Sequence, residues 1–266
     1  MSEGPQKDDL STALILETGR SRAVFSVRGA RLLSLEFDGR ELLRTDDARG
    51  DVWYGAFVMA PWAGLLRGAT LLYSGKEYAL PANWDGHSLH GVARFADFAA
   101  VGGELVGSLP PIWPFGGFVT VAPRLDETSF DVLFTVTAGD ESMPVALGWH
   151  PWFRRSIAAS KPLVLRLPDD ARKLARDAAG LPTADWNDVG DGPWDDCLRT
   201  ASAVELEWPD VGTLSVATTG GFIGIYSGED SGVAVEPMNA PVESLPIELA
   251  PGESVSLSVR MEWRAA

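Results

Sequence analysis

Val255-Ser256-Leu257-Ser258-Val259-Arg260-Met261-Glu262-Trp263-Arg264 is apolar at every odd position and polar at every even one. A period of two puts one set of side chains on each face of an extended strand, which is the signature of a half-buried antiparallel strand. Phe130, Val132, Phe134 and Val136 repeat the pattern within Ser129–Thr137. Further short apolar or alternating runs include Ala13–Leu16, Ala23–Val27, Arg31–Phe37, Thr70–Tyr73, Arg94–Val101, Gly117–Leu125, Val204–Trp208, Phe222–Tyr226 and Val233–Glu236. Turn chemistry separates them, with Asp38-Gly39 the strongest hairpin pair. The 28 glycines and 18 prolines recur at strand-to-strand spacing and leave little room for long helices. Many short strands without intervening helices predict an all-β, antiparallel β-sandwich or barrel. No repeat, low-complexity tract or linker divides the chain, so residues 11–266 are expected to form a single domain behind a disordered lead-in at residues 1–10.

Composition narrows the partners. The formal charge of -15 argues against nucleic acid and anionic membrane, both of which need basic patches. The longest apolar stretch, Val52–Leu66, is broken by Gly55, Pro61 and Gly64 and is too short to span a bilayer. Met1–Leu10 has no apolar signal core, and the single Cys197 excludes an intrachain disulfide and fits a reducing compartment. A cytoplasmic location is the expectation. Ten tryptophans are many for this length, and several fall in loops near carboxylates. Such rings either stack on the C–H faces of a sugar or cover the open ends of a sandwich.

Four stretches carry chemistry. In Leu147-Gly148-Trp149-His150-Pro151-Trp152-Phe153-Arg154-Arg155 a histidine sits between tryptophans, and Pro151, which has no N–H, predicts that the strand ends at His150. In Val233-Ala234-Val235-Glu236-Pro237 a carboxylate occupies the same place, at the end of an apolar strand and before a proline. Burial there would raise the Glu236 pKa toward the range of a general base. Arg67 lies in the otherwise apolar Pro61–Gly68 segment, where either a surface ion pair or a ligand would account for it. Leu89-His90-Gly91 places a histidine before a glycine that permits close approach of backbone or ligand. His87 and His90 invite a metal reading, but no cysteine or glutamate stands at ligand spacing nearby, so no metal is expected.

Taken in order, Pro61…Arg67, Leu89-His90-Gly91, His150-Pro151-Trp152-Phe153, Trp194-Asp195-Asp196-Cys197, Glu236-Pro237 and Leu249-Ala250-Pro251-Gly252-Glu253 resemble the aldose 1-epimerases, or galactose mutarotases, collinearly along the chain. The resemblance implies a large galactose mutarotase-like β-sandwich that binds a free sugar in an open cleft and needs no cofactor. It implies that Glu236 is the general base at the anomeric hydroxyl and His150 the general acid at the ring oxygen. His90 and Arg67 would hydrogen-bond the sugar, and Asp195, or Asp196 beside it, would grip a hydroxyl. Leu66-Arg67 stands where the family usually has Asn-Arg, and Trp152 replaces a tyrosine, so sugar specificity is left open. A monomer or homodimer is expected. Alternatives are a hexose-6-phosphate 1-epimerase with Arg154 and Arg155 as phosphate ligands, a non-catalytic sugar-binding protein of the same fold, and, last, a metal-dependent hydrolase. The Leu109–Gly117 loop is a candidate lid.

Overall fold

The alternating strand at the C-terminus, Ser254–Ala265, lies inside an eight-stranded antiparallel sheet, between Ser129–Thr137 and Gly212–Thr218. Leu257, Val259 and Met261 oppose Phe134, Val132 and Phe130, and all six side chains are buried. This is a computed structural model, and it describes residues 14–45, 49–157, 160–178 and 180–266; the expected lead-in at residues 1–10 lies outside them. An eleven-stranded antiparallel sheet faces the first, and its central strands run in the order Ala56–Met59, Gly148–Arg154, Gly232–Met238, Phe222–Tyr226 and Asp195–Arg199. Trp149 reaches across the interface to Phe130 and Phe134, with ring centroids 6.2 and 5.4 Å away. The architecture is an all-β sandwich whose inner faces form the main core.

Strand parity then decides where chemistry can sit. Because successive side chains point to opposite faces, Trp149 and Val235 enter the core between the sheets, while His150 and Glu236 point out of the other face of the same sheet. Phe57, Met59, Ala63, Leu174, Cys197 and Met238 make a second, smaller apolar cluster on that outer face. A cleft therefore opens over a sheet that is covered on both sides. That explains why Ala56–Met59 is buried at every position and shows no alternation in sequence.

Three expectations are corrected. The strand predicted to end at His150 runs on through Pro151 to Arg154, and its neighbour runs through Pro237 to Met238. The prolines are tolerated because of where their missing donors would face. Trp152 and Arg154 donate to the Gly55 and Leu42 carbonyls, so the N–H groups of the odd positions, Pro151 among them, face the Glu236 strand. Asn239 donates to the Leu147 carbonyl, so the odd positions of that strand, Pro237 among them, face back. Both gaps fall in one seam. Its ladder is recorded at Gly148–Met238 and resumes at Trp152–Ala234, with the two X-Pro dipeptides between. Second, Arg94–Val101 is a strand only over Ala99–Val101; Ala93–Phe95 forms a 3-10 turn that buries Arg94. Third, the Leu109–Gly117 loop is no lid: Trp113 and Phe115 are buried, and Trp113 packs on Trp62 and donates Nε1–H to Met143 Sδ.

Candidate active site

Continuing the register of the seam sets His150 directly across from Glu236. Their side chains meet, His150 Nε2 lying 3.4 Å from Glu236 Oε1. Both residues are buried, at 5% and 8% exposure, at the floor of a cavity of about 480 Å³. Gly148 lets the strands close here, since a Cβ would run into Met59 and Met238. Gly224 opposes Glu236 on the next strand, and a Cβ there would stand 3.1 Å from Glu236 Oε2. Room for the carboxylate is thus set by Gly224.

Burial governs the protonation of this pair. Desolvation, helped by the charge of Asp195, pushes Glu236 up to about 8. Desolvation also drops His150 to about 3, with further lowering from Arg94 and Arg31. These two guanidiniums lie over the Phe57 ring, at 5.5 and 5.0 Å from its centroid, and Phe57 in turn stacks on His150 at 4.7 Å. At neutral pH the contact is therefore a carboxylic acid beside a neutral imidazole, not an ion pair. The pair holds one proton, and its titration belongs to both groups.

His90 completes the floor. Its ring lies edge-on to His150 at 4.9 Å, and burial, then His150 and Arg94, hold its pKa well below the usual value. Its Nδ1 accepts the Gly64 N–H at 3.2 Å, so the neutral ring carries its hydrogen on Nε2, free to donate. The backbone is left-handed at His90 and Gly91, φ 57° and 69°, and a Cβ on Gly91 would collide with the Ala60 carbonyl. His90, His150 and Glu236 each offer one ligand atom within 4.8 Å of the others. Chain spacing argued against such a cluster, but the fold draws together three segments that are far apart in sequence, so the set could also hold a divalent cation.

The rim is polar and ionic. Arg67, 40% exposed, donates Nε–H to Glu243 at 2.7 Å and Nη2–H to the Gly180 carbonyl at 3.0 Å. Arg176 donates to Glu243 and to the same carbonyl, both at 2.8 Å. Asp195 and Asp196 line the same cavity. Burial and the charge of Asp196 raise the Asp195 pKa, with Arg176 opposing, and Asp195 is the carboxylate whose charge reaches Glu236. The rings of Trp53, Trp84, Trp152 and Tyr226 line the same cavity, with Tyr226 directly across from Asp195 on the neighbouring strand.

All five residues singled out from sequence, Glu236, His150, His90, Arg67 and Asp195, line one cavity. Arg154 and Arg155 do not: Arg154 donates to the Leu43 carbonyl and Thr45, and Arg155 to the Ser227 and Glu229 carbonyls. Backbone capping accounts for both, and the phosphate reading of this pair fails. His87 is likewise outside the cavity lining, its Nδ1 accepting the Gly68 N–H. Arg176, Glu243 and Trp53 were not foreseen. The one local signal was the Pro241-Val242-Glu243-Ser244-Leu245-Pro246 segment, where two prolines bracket a residue now found left-handed at φ 62°.

Known proteins place this geometry in context. The structure is similar to a galactose mutarotase-like protein from Lactobacillus casei, with TM-score 0.77 and 21% identity over 95% of this chain and 100% of that one. It is also similar to the galactose 1-epimerase from Lactobacillus acidophilus, with TM-score 0.72 and 18% identity over 95% and 94% of the two chains. At these identities the likeness is one of fold. An uncharacterized protein of Escherichia coli, YphB, is 30% identical over 105 residues, a match that spans 36% of each chain. The sequence profile described as aldose 1-epimerase matches residues 12–207, more than half of the chain. This chain belongs to the aldose 1-epimerase family.

Proposed function

We propose that the protein interconverts the α and β anomers of an uncharged aldose, with Glu236 and His150 as the acid–base pair. The observation that carries the reading is the 3.4 Å contact between His150 Nε2 and Glu236 Oε1 at the buried floor of the cavity. Opening a hemiacetal ring takes one proton from the anomeric hydroxyl and delivers one to the ring oxygen, so two adjacent groups that share a single proton suffice. In the empty site that proton rests on Glu236. An anomeric hydroxyl that donates to the carboxylate favours its ionised form and moves the proton to His150 Nε2. Glu236 then takes the hydroxyl proton while His150 protonates the ring oxygen, and the C1–O5 bond breaks. Rotation about C1–C2 and reclosure with the roles exchanged give the other anomer and restore the pair. His90 donates its Nε2–H to the oxygen that gains charge. Asp195 and Arg67 hold hydroxyls at the rim. The arginines of the rim are already engaged by Glu243, and Asp195 and Asp196 add negative charge, which favours an uncharged sugar over a phosphorylated one.

Anomer interconversion followed by polarimetry or exchange NMR tests this, with a panel of free aldoses and hexose 6-phosphates set against the uncatalysed rate. Wild-type acceleration of free aldoses, unaffected by a chelator and lost in Glu236→Gln, is the expected result. Sugar binding without acceleration would turn the reading into that of a binding protein, and loss of rate on chelation would move the chemistry to a cation at His90, His150 and Glu236.

A further inference from the structure

The aromatic side of the cavity is longer than one sugar. From His150 at the floor, ring centroids step outward to Trp152 at 5.7 Å, to Trp53 at 5.5 Å and to Trp84 at 6.0 Å. Tyr226 flanks the middle of this series, 5.8 Å from Trp152 and 6.3 Å from Trp53. A pyranose ring spans about one such step. A sugar whose anomeric carbon sits between His150 and Glu236 therefore meets Trp152, and it leaves Trp53 and Trp84 uncovered.

The outer two rings are held in place. Trp84 is 41% exposed, yet it sits on a closed turn: its N–H donates to the His87 carbonyl at 3.1 Å, and the His87 N–H donates back at 2.8 Å. Asp85 and Gly86 at the tip are left-handed, as a two-residue turn of this kind needs. Asn83 ties the turn to the catalytic segment through both of its side-chain atoms, accepting the Leu89 N–H at 2.7 Å and donating to the Leu89 carbonyl at 3.3 Å. Trp152 is fixed by the bond from its Nε1–H to the Val52 carbonyl, next to Trp53. On the far side of Trp53 the Arg49 guanidinium lies 4.0 Å from the ring centroid and pairs with Glu229 at 2.9 Å. A preorganised indole left open to water, continuous with a sugar cleft and edged by charged donors and acceptors, matches the amphipathic faces of a second saccharide.

We propose that Trp53 and Trp84 form a second saccharide subsite, which takes the non-reducing unit of a reducing disaccharide while its reducing unit occupies the floor at His150 and Glu236. The proposal rests on the reading of that floor as a sugar site.

Isothermal titration with glucose, galactose and reducing disaccharides of several linkages (maltose, cellobiose, lactose, isomaltose) reads the subsite directly. At least one disaccharide is expected to bind about five- to tenfold more tightly than its own reducing hexose. In Trp84→Ala that ratio should fall to near one, and Trp84→Phe should recover part of it. Equal affinity of hexose and every disaccharide for the wild type would overturn the proposal. So would a ratio that Trp84→Ala leaves intact, or a wild type that binds none of these sugars. The anomer-exchange rate reports on the acid–base reading separately: hexose binding without turnover would sink that reading while the affinity ratio still decides the subsite.

Discussion

At the floor of the cavity, His150, His90 and Glu236 are almost dry, and burial is the first cause of every pKa displacement among them. At the rim, Arg67, Arg176 and Glu243 pair through direct contacts, with the arginines 40% and 37% exposed in their side chains. Glu243 between them is itself only 10% exposed, but water reaches both guanidiniums, so salt weakens these pairs. The difference separates two tasks. Proton transfer needs groups whose charge is costly, so that the proton is ready to move; recognition of an uncharged sugar needs polar groups that can exchange partners with water. Floor variants should therefore act on kcat and on pH dependence, and variants of the rim ion pairs on KM, while Asp195, whose charge reaches Glu236, joins the two regions.

The most severe break is at the floor. Glu236→Gln and His150→Asn should each lower kcat by about 10²–10⁴-fold with sugar affinity nearly kept, as single-turnover anomer exchange and calorimetry would show. If either variant kept the wild-type rate, the pair would not be the catalyst. His90→Asn should cost about 10- to 10²-fold in kcat, the scale of one donor aimed at developing charge, and the same exchange assay reads it.

A pH titration sharpens the contrast. The pair holds its single proton between the two values at which it titrates, about 3 and about 8, so kcat/KM should fall as pH rises through 8. Asp195 helps to raise Glu236, so Asp195→Asn should move this alkaline limb to lower pH; an unmoved limb would separate the two residues. Linkage gives a second readout. Above its ordinary value of 4.5, Glu236 keeps in the folded state a proton that the unfolded chain releases. Its contribution therefore lowers stability as pH rises from 4.5 toward 8. Glu236→Gln should accordingly gain melting temperature over wild type at pH 9 relative to pH 5. The smallest effect belongs to the rim: Glu243→Gln should change KM by about two- to fivefold, with kcat preserved and a reduced dependence on salt in steady-state assays.

Legibility in the sequence followed the same division. Ser129–Thr137 and the C-terminal strand were readable because one face of each is buried and period two is then forced. Ala56–Met59 gave no such signal, because both of its faces are covered. His150 and Glu236 stood out as titratable residues in apolar strands, but the inference that Pro151 ends the strand ignored that a proline costs a sheet only the donor it lacks. Here two prolines spend that loss on a single seam. Arg176 and Glu243 come from segments with no periodicity and acquire meaning only by meeting across the cleft. The series from Trp152 to Trp84 was hidden for the same reason, since it joins three separate loops and strands.

Parity on the His150 and Glu236 strands couples folding to chemistry in a way that constrains how the chain can change. With Gly148 held opposite Met238, inserting one residue between Gly148 and Trp149 would turn Trp149 into the cleft and His150 into the core, exchanging solvent-averse bulk for a polar ring in a single step. Length changes there are tolerable only in twos, or when the facing strand changes with them. For anyone redesigning the cleft, the central strands behave like a reading frame: substitutions are open to trial, and frameshifts are not.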